Sequence, residues 1–135
     1  MDKNIDYLFD FETYQKNNPF MYHNHIEQVE VSQDHCRVKV TLQPESMNLN
    51  GYVHGGLIYS MADVVCGIHS RTDGCRYVTQ SSHINFLRNT QSGEIFCDTE
   101  IVKRGRTLVI IHFQVTDDKG KLMADGVMDY IKVEG

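Results

Sequence analysis

Two adjacent glycines, Gly55 and Gly56, open the one long apolar helix that can be read in this chain. Leu57, Ile58, Met61, Ala62, Val65 and Cys66 recur at helical spacing over residues 54–70. That helix constrains the fold because the chain after it reads as strand to its end. Residues 77–87, 94–103, 107–116 and 122–133 are strand-like, punctuated by Ser92-Gly93, Gly105 and Asp117-Asp118-Lys119-Gly120. Two strands are expected before it, within residues 21–42, turning at Gln33-Asp34 and ended by Pro44. One helix preceded by two strands and followed by four cannot be a parallel βαβ series. The pattern predicts an α+β fold, a curved antiparallel sheet wrapped round the helix, with the last three strands as a meander. Residues 5–14 read as a short helix that stops before Asn17-Asn18-Pro19 and packs on the domain or caps a ligand groove.

The start of the long helix also carries chemistry. Gly51, Gly55 and Gly56 let backbone approach a ligand closely, and the first N–H groups of a helix have no internal partner and lie at its positive end. A developing oxyanion would be stabilised there. Within the apolar helix Asp63 is the odd residue, since a carboxylate on a face suited to a core is costly unless paired, exposed or used.

At 135 residues, with 41% hydrophobic and 23% charged residues, the chain has the size and composition of one globular domain. Its formal net charge of -5 argues against general attraction to nucleic acid, so an anionic ligand must be held by local basic residues. No apolar run approaches the roughly 20 residues needed to span a bilayer, and the N-terminus lacks the order of a signal peptide; the cytoplasm is the default expectation. Cys36, Cys66, Cys75 and Cys97 form no CxxC and no zinc spacing with histidine, and are expected to be reduced and structural. His23 and His25 share a strand face at i, i+2, but two ligands are not a site, so no metal is expected. No HExxH, phosphate loop or dinucleotide fingerprint is present.

The span Asn48-Leu49-Asn50-Gly51-Tyr52-Val53-His54-Gly55-Gly56, followed by Ala62-Asp63 on the helix, resembles the hotdog-fold acyl-CoA thioesterases of the PaaI-like group. Their mark is an Asn, a spacer, His-Gly-Gly and then an acid after Ala on the central helix. The resemblance continues through residues 79–88 with Phe86-Leu87-Arg88, through Gly93-Glu94, and through the basic turn at 102–106. Only the first twenty or so residues have no counterpart, and Asn89 stands where the family usually has Pro.

The resemblance implies hydrolysis of an acyl-CoA to a carboxylic acid and free CoA, with coenzyme A part of the substrate and no separate cofactor. Asp63 would be the general base that activates water, or the nucleophile. Gly55 would donate its N–H to the thioester oxygen, with Asn48 and His54 positioning groups around it and Thr79 near the attacking water. Asn48 also reads as a turn residue, His54 as a helix cap and Thr79 as a strand former. Gly56, Arg88, Lys103, Arg104 and Arg106 are the candidates for holding CoA, each basic residue reading equally as a solvated strand end. Tyr59, Met61, Phe86, Phe9, Phe11 and Phe20 are candidates to line the acyl pocket. The rival readings are a non-catalytic acyl-CoA binder and a hotdog dehydratase acting on hydroxyacyl thioesters.

Asp63 lies eight residues beyond Gly55, about 12 Å along a helix at ~1.5 Å per residue. Both cannot reach one carbonyl from one chain, so a second copy is expected to complete the site at a two-fold interface. The resemblance adds pairs of such dimers as tetramers.

Overall fold

The computed structural model describes residues 5–134. In chain order it contains helices α1 (Phe11–Lys16) and α2 (Pro19–His23), strands β1 (Ile26–Val31) and β2 (Cys36–Thr41), and helix α3 (Gly55–Ser70). Strands β3 (Arg76–Phe86), β4 (Glu94–Arg104), β5 (Leu108–Asp117) and β6 (Leu122–Glu134) follow. The six strands form one antiparallel sheet in the order β1-β2-β4-β5-β6-β3, so β4-β5-β6 is the expected meander and β3 lies at an edge. None of the described helices is long and apolar enough to cross a membrane.

The sheet curves round α3, whose stripe of Leu57, Ile58, Met61, Ala62, Val65, Cys66 and Ile68 is buried. The strands answer with period-two burial. Val38 and Val40 on β2, Ile95 and Cys97 on β4, and Val109, Ile111, Phe113 and Val115 on β5 all face the helix side and are essentially inaccessible. Removing so many branched and aromatic side chains from water drives the assembly, at about 1.5–3 kcal/mol for each fully buried large side chain. All four cysteines are free and buried within this packing.

Two expectations for the N-terminal third are corrected. The expected helix over residues 5–14 divides into a 3-10 turn at Asp6–Phe9 and helix α1, because Asp10 leaves helical geometry (φ -92, ψ 80) and its side chain accepts the Thr13 N–H as a cap. The first strand does not begin at 21. Pro19, well suited to a first helical turn, starts α2, and the strand waits until His25 has broken the helix with φ 60. These short helices are anchored to the core by Leu8 and Met21, both buried, and by Gln15, whose Nε2 donates to the Ile26 carbonyl at 2.8 Å.

At the far end of α3, His69 is fully buried. Its Nε2 lies 2.9 Å from the Gln33 carbonyl, which can only accept, so the proton sits on Nε2 and Nδ1 accepts from the Thr99 hydroxyl at 2.8 Å. The ring thereby ties α3 to the β1–β2 turn and to β4. Burial holds its pKa below the ordinary histidine value, aided by the nearby Arg104 charge and opposed by the Gln33 bond. The unfolded chain binds this proton near pH 6.5 while the folded chain resists it. Stability is therefore complete above about pH 6.5 and declines as pH falls toward the lowered folded value. Thermal unfolding at pH 7.5 and 5.5 should show a larger acid loss for wild type than for His69→Gln, which keeps a donor but cannot titrate; equal losses would contradict this assignment.

Gly126 on β6 faces β3 on one side and Phe113 of β5 on the other, and a Cβ there would lie 2.1 Å from the His83 carbonyl oxygen and 2.6 Å from the Phe113 ring. Backbone cannot retreat as a flexible side chain can. Gly126→Ala is expected to cost about 3 kcal/mol by overpacking, measurable as a shift of the urea midpoint.

Candidate active site

His54 caps α3: its ring Nδ1 accepts the Gly56 N–H at 2.8 Å, and its carbonyl accepts from Leu57 and Ile58 at 3.0 and 3.3 Å. The His54 N–H is itself held by the Ser46 carbonyl at 2.9 Å. Among the described residues this leaves the Gly55 N–H without an acceptor. Gly56 contributes little through its N–H, which His54 occupies. Its missing side chain matters more, because a Cβ there would lie 2.9 Å from His54 Nδ1. The Phe86 ring lies beside Gly55, 3.5 Å from where a Cβ would be.

Asn48 is placed in the preceding turn. Its Oδ1 accepts from the Asn50 and Tyr52 N–H groups at 2.9 and 3.1 Å, and its carbonyl accepts from Gly51. That is the structural role of an Asx turn. It sets the loop that delivers His54 and Gly55, with Met47 and Val53 bridging its base.

Asp63 sits two turns further along α3 on its half-buried side. One carboxylate oxygen, Oδ1, accepts from the Thr79 hydroxyl at 2.7 Å and lies 2.6 Å from the Tyr130 hydroxyl, which is also 2.7 Å from the Asp63 carbonyl. Among the described residues Oδ2 has no hydrogen-bond partner. Thr79 and Tyr130 are directly opposed in the β3–β6 ladder, and the register shifts just beyond them, between Thr79 and Ser81. The local break in pairing re-aims this stretch of β3 towards the helix. Tyr130 is buried, and burial, together with the neighbouring Cys66 and Asp63, pushes its pKa far above the ordinary tyrosine value. It stays protonated and acts as a permanent donor. Sequence reasoning missed Tyr130. The alternation Ala124, Met128, Tyr130 on β6 marks it as inward-facing, but only the pairing with β3 brings it to Asp63.

Asp63, Thr79 and Tyr130 open into a cavity of about 500 Å³ whose other walls include Phe20 and Met21 of α2, Tyr14 of α1 and Arg71. The N-terminal helices thus form one wall of the acid's cavity while packing on the core through Leu8 and Met21. His54 and Gly56 line a different hollow, with Ser60 and Leu57, and Phe20 lies between the two. Within one chain, Thr79 is brought to Asp63, while Asn48, His54 and Gly55 are not. Met61 is wholly buried in the core and does not line the pocket, whereas Phe20 does.

The basic residues separate. Arg88, Lys103 and Arg106 are exposed, and among the described residues they make no ion pair. Arg104 is engaged elsewhere. Its guanidinium donates to the Ser70 and His69 carbonyls at 3.0 and 3.3 Å and to the Tyr77 hydroxyl at 3.2 Å, and pairs with Asp73 at 3.1 Å. It closes the carbonyl end of α3, where a cation is favourable, and its expected place in a CoA groove is corrected accordingly.

A model described as the thioesterase superfamily matches residues 50–124, more than half of the chain, from the Asn48 turn through α3 to the start of β6. The chain belongs to the thioesterase superfamily. Its architecture is the hotdog fold of the PaaI-like thioesterases: the PaaI protein of the Escherichia coli phenylacetic acid degradation operon superimposes with a TM-score of 0.87 over 96% of each chain, at 17% identity. A Deinococcus radiodurans protein provisionally named an esterase is 32% identical over 98 residues, 71% of this chain and 66% of its own length. The chain thus spans just under two thirds of that relative. A hypothetical thioesterase of Streptococcus pneumoniae, solved with coenzyme A, gives a TM-score of 0.77 at 23% identity over 81% of this chain and 89% of its own. It has also been solved with alanine replacing an aspartate and, separately, a threonine sixteen residues further on.

His54→Ala removes the side-chain cap of α3 and is expected to lower stability by about 1 kcal/mol in thermal unfolding, with Gly56→Ala falling in the same direction.

Proposed function

We propose that this protein hydrolyses acyl-CoA thioesters to a carboxylic acid and free CoA, with Asp63 as general base and the Gly55 N–H as oxyanion donor. The observation that carries the reading is the Asp63 carboxylate at the wall of a cavity of about 500 Å³, one oxygen fixed by two hydroxyls and the other without a partner among the described residues. A base needs that combination of fixed orientation and a free lone pair. The S. pneumoniae fold relative supports it in two ways, by its bound CoA and by its substituted pair, which has the same spacing of sixteen as Asp63 and Thr79.

In this mechanism Oδ2 takes a proton from water as the water oxygen bonds to the thioester carbon. The carbonyl oxygen gains charge and is met by the Gly55 N–H at the positive end of α3. The tetrahedral intermediate then reforms its carbonyl, the C–S bond breaks, and the CoA thiolate leaves and recovers the proton from Asp63. Thr79 and Tyr130 keep the carboxylate in place throughout. Arg88, Lys103 and Arg106 offer exposed cations for the phosphates of CoA, which the net charge of -5 would otherwise repel.

The catalytic unit is at least a dimer, with pairs of dimers forming the tetramer. Within one chain His54 and Gly56, which flank Gly55, line a hollow separate from that of Asp63, and Gly55 lies about 12 Å from Asp63 along α3. Strand β3 has eleven residues, a free edge and side chains exposed along most of its length, which makes it the natural seam for a second copy. The partner's helix start would then reach the carbonyl that Asp63 serves.

Free-thiol release over a panel of aromatic and aliphatic acyl-CoAs tests the reading. Asp63→Ala is expected to lower kcat by about 10²–10⁴-fold with acyl-CoA binding retained. Tyr130→Phe, which among the described residues leaves Thr79 as the one side-chain donor to Asp63, is expected to lower it by about 10-fold or more. Wild-type protein that binds acyl-CoA but releases no thiol would show a binding protein instead.

A further inference from the structure

Arg71 follows α3 directly and is half-buried. Its Nη2 donates to the Tyr77 carbonyl at 3.0 Å. Among the described residues its other guanidinium nitrogens have no acceptor and it forms no ion pair. A helix-terminal cation accounts for the charge, but Arg104 already holds the last carbonyls of α3, at Ser70 and His69. Arg71 instead lines the cavity that contains Asp63, and also an adjoining cavity of about 250 Å³ beneath α1.

Tyr14 lines the same two cavities. Its ring is stacked on Tyr7, with centroids 6.0 Å apart and planes inclined by 18°, so it is fixed in place. Among the described residues its hydroxyl has no hydrogen-bond partner. Burial raises its pKa despite the opposing Arg71 charge, so it remains a donor at neutral pH. Asp10, an acid lining the adjoining cavity, is occupied in capping α1 and makes no ion pair with Arg71. A partly desolvated guanidinium and a tyrosine, both short of acceptors among the described residues, thus line the cavity that contains Asp63.

We propose that Arg71 and Tyr14 bind a carboxylate at the far end of the acyl group, making the preferred substrates the CoA monothioesters of short dicarboxylic acids. This rests on the thioesterase reading above. Arg71 is anchored at Tyr77, two residues from Thr79 along β3, about 7 Å. At the C-cap of α3 it lies eight residues beyond Asp63, about 12 Å of helix rise. The gap suits a short aliphatic diacid whose thioester carbonyl lies at Asp63. Phe20, Met21, Val64 and Val78 supply apolar walls for the methylenes between. The arginine fork matches a carboxylate in two parallel hydrogen bonds, which no neutral acyl terminus can offer.

The test compares succinyl-, glutaryl- and adipoyl-CoA with butyryl-, pentanoyl- and hexanoyl-CoA, chain length for chain length. For wild type, kcat/KM is expected to favour the best dicarboxylic member by about 10- to 100-fold over its neutral partner. The preference should be carried by KM, collapse in Arg71→Gln, return in part in Arg71→Lys and weaken in Tyr14→Phe. Calorimetric binding of the same pairs to Asp63→Ala protein gives a readout independent of turnover. Tighter binding of the dicarboxylic member supports the proposal even if hydrolysis is absent, which would sink the thioesterase reading alone. Equal or tighter handling of the neutral acyl-CoAs by wild type, in turnover or in binding, overturns the proposal and leaves the thioesterase reading standing.

Discussion

Burial of one face of α3 is the interaction on which the rest depends. The sheet curves because it must cover an apolar helix from β2, β4, β5 and β6 at once, and every inward position on β5 is given to that contact. A helix packed on only part of its circumference keeps a second face. On this helix that face carries Asp63, and the rigidity obtained from the core is what holds the carboxylate steady. The acid and its scaffold are two sides of one cylinder.

The hydroxyls around Asp63 show how a sheet edge becomes part of a site. Thr79 and Tyr130 come from neighbouring strands, and both meet the same carboxylate oxygen because antiparallel register places them opposite one another. Tyr130 is buried and permanently protonated, Thr79 is exposed, and Asp63 lies between solvent and core. The carboxylate is thereby stabilised from one side and left available on the other. α1 and α2 supply the outer wall of its cavity.

Much of this was legible in the residues. The six strands, the helix and the turn positions follow from periodicity and glycine placement, and the observed strand ends lie close to those expected. Asp63 was conspicuous as an acid on an apolar helix. The errors fall where local signals compete. Pro19 begins a helix that runs into residues 21–23, where strand was expected, and Asp10 interrupts a helix that periodicity alone would continue. Arg104 sits in a basic turn beside Lys103 and Arg106, yet β4 carries it to the end of α3, where free carbonyls claim it. Nothing in the spacing of the three cations distinguishes the one that closes the helix end.

By itself the sequence determined the α+β class, the single core helix and the acid upon it, because hydrophobic period and turn chemistry are local properties written in neighbouring residues. Only the tertiary structure decided which hydroxyls hold that acid, that Arg104 serves the scaffold while Arg71 faces the cavity, and that His54 and Gly56 line a hollow separate from that of Asp63. Those facts depend on strand register and on contacts between residues distant in the chain. A side chain's type states what it can bond to, and only the folded backbone states what lies within reach.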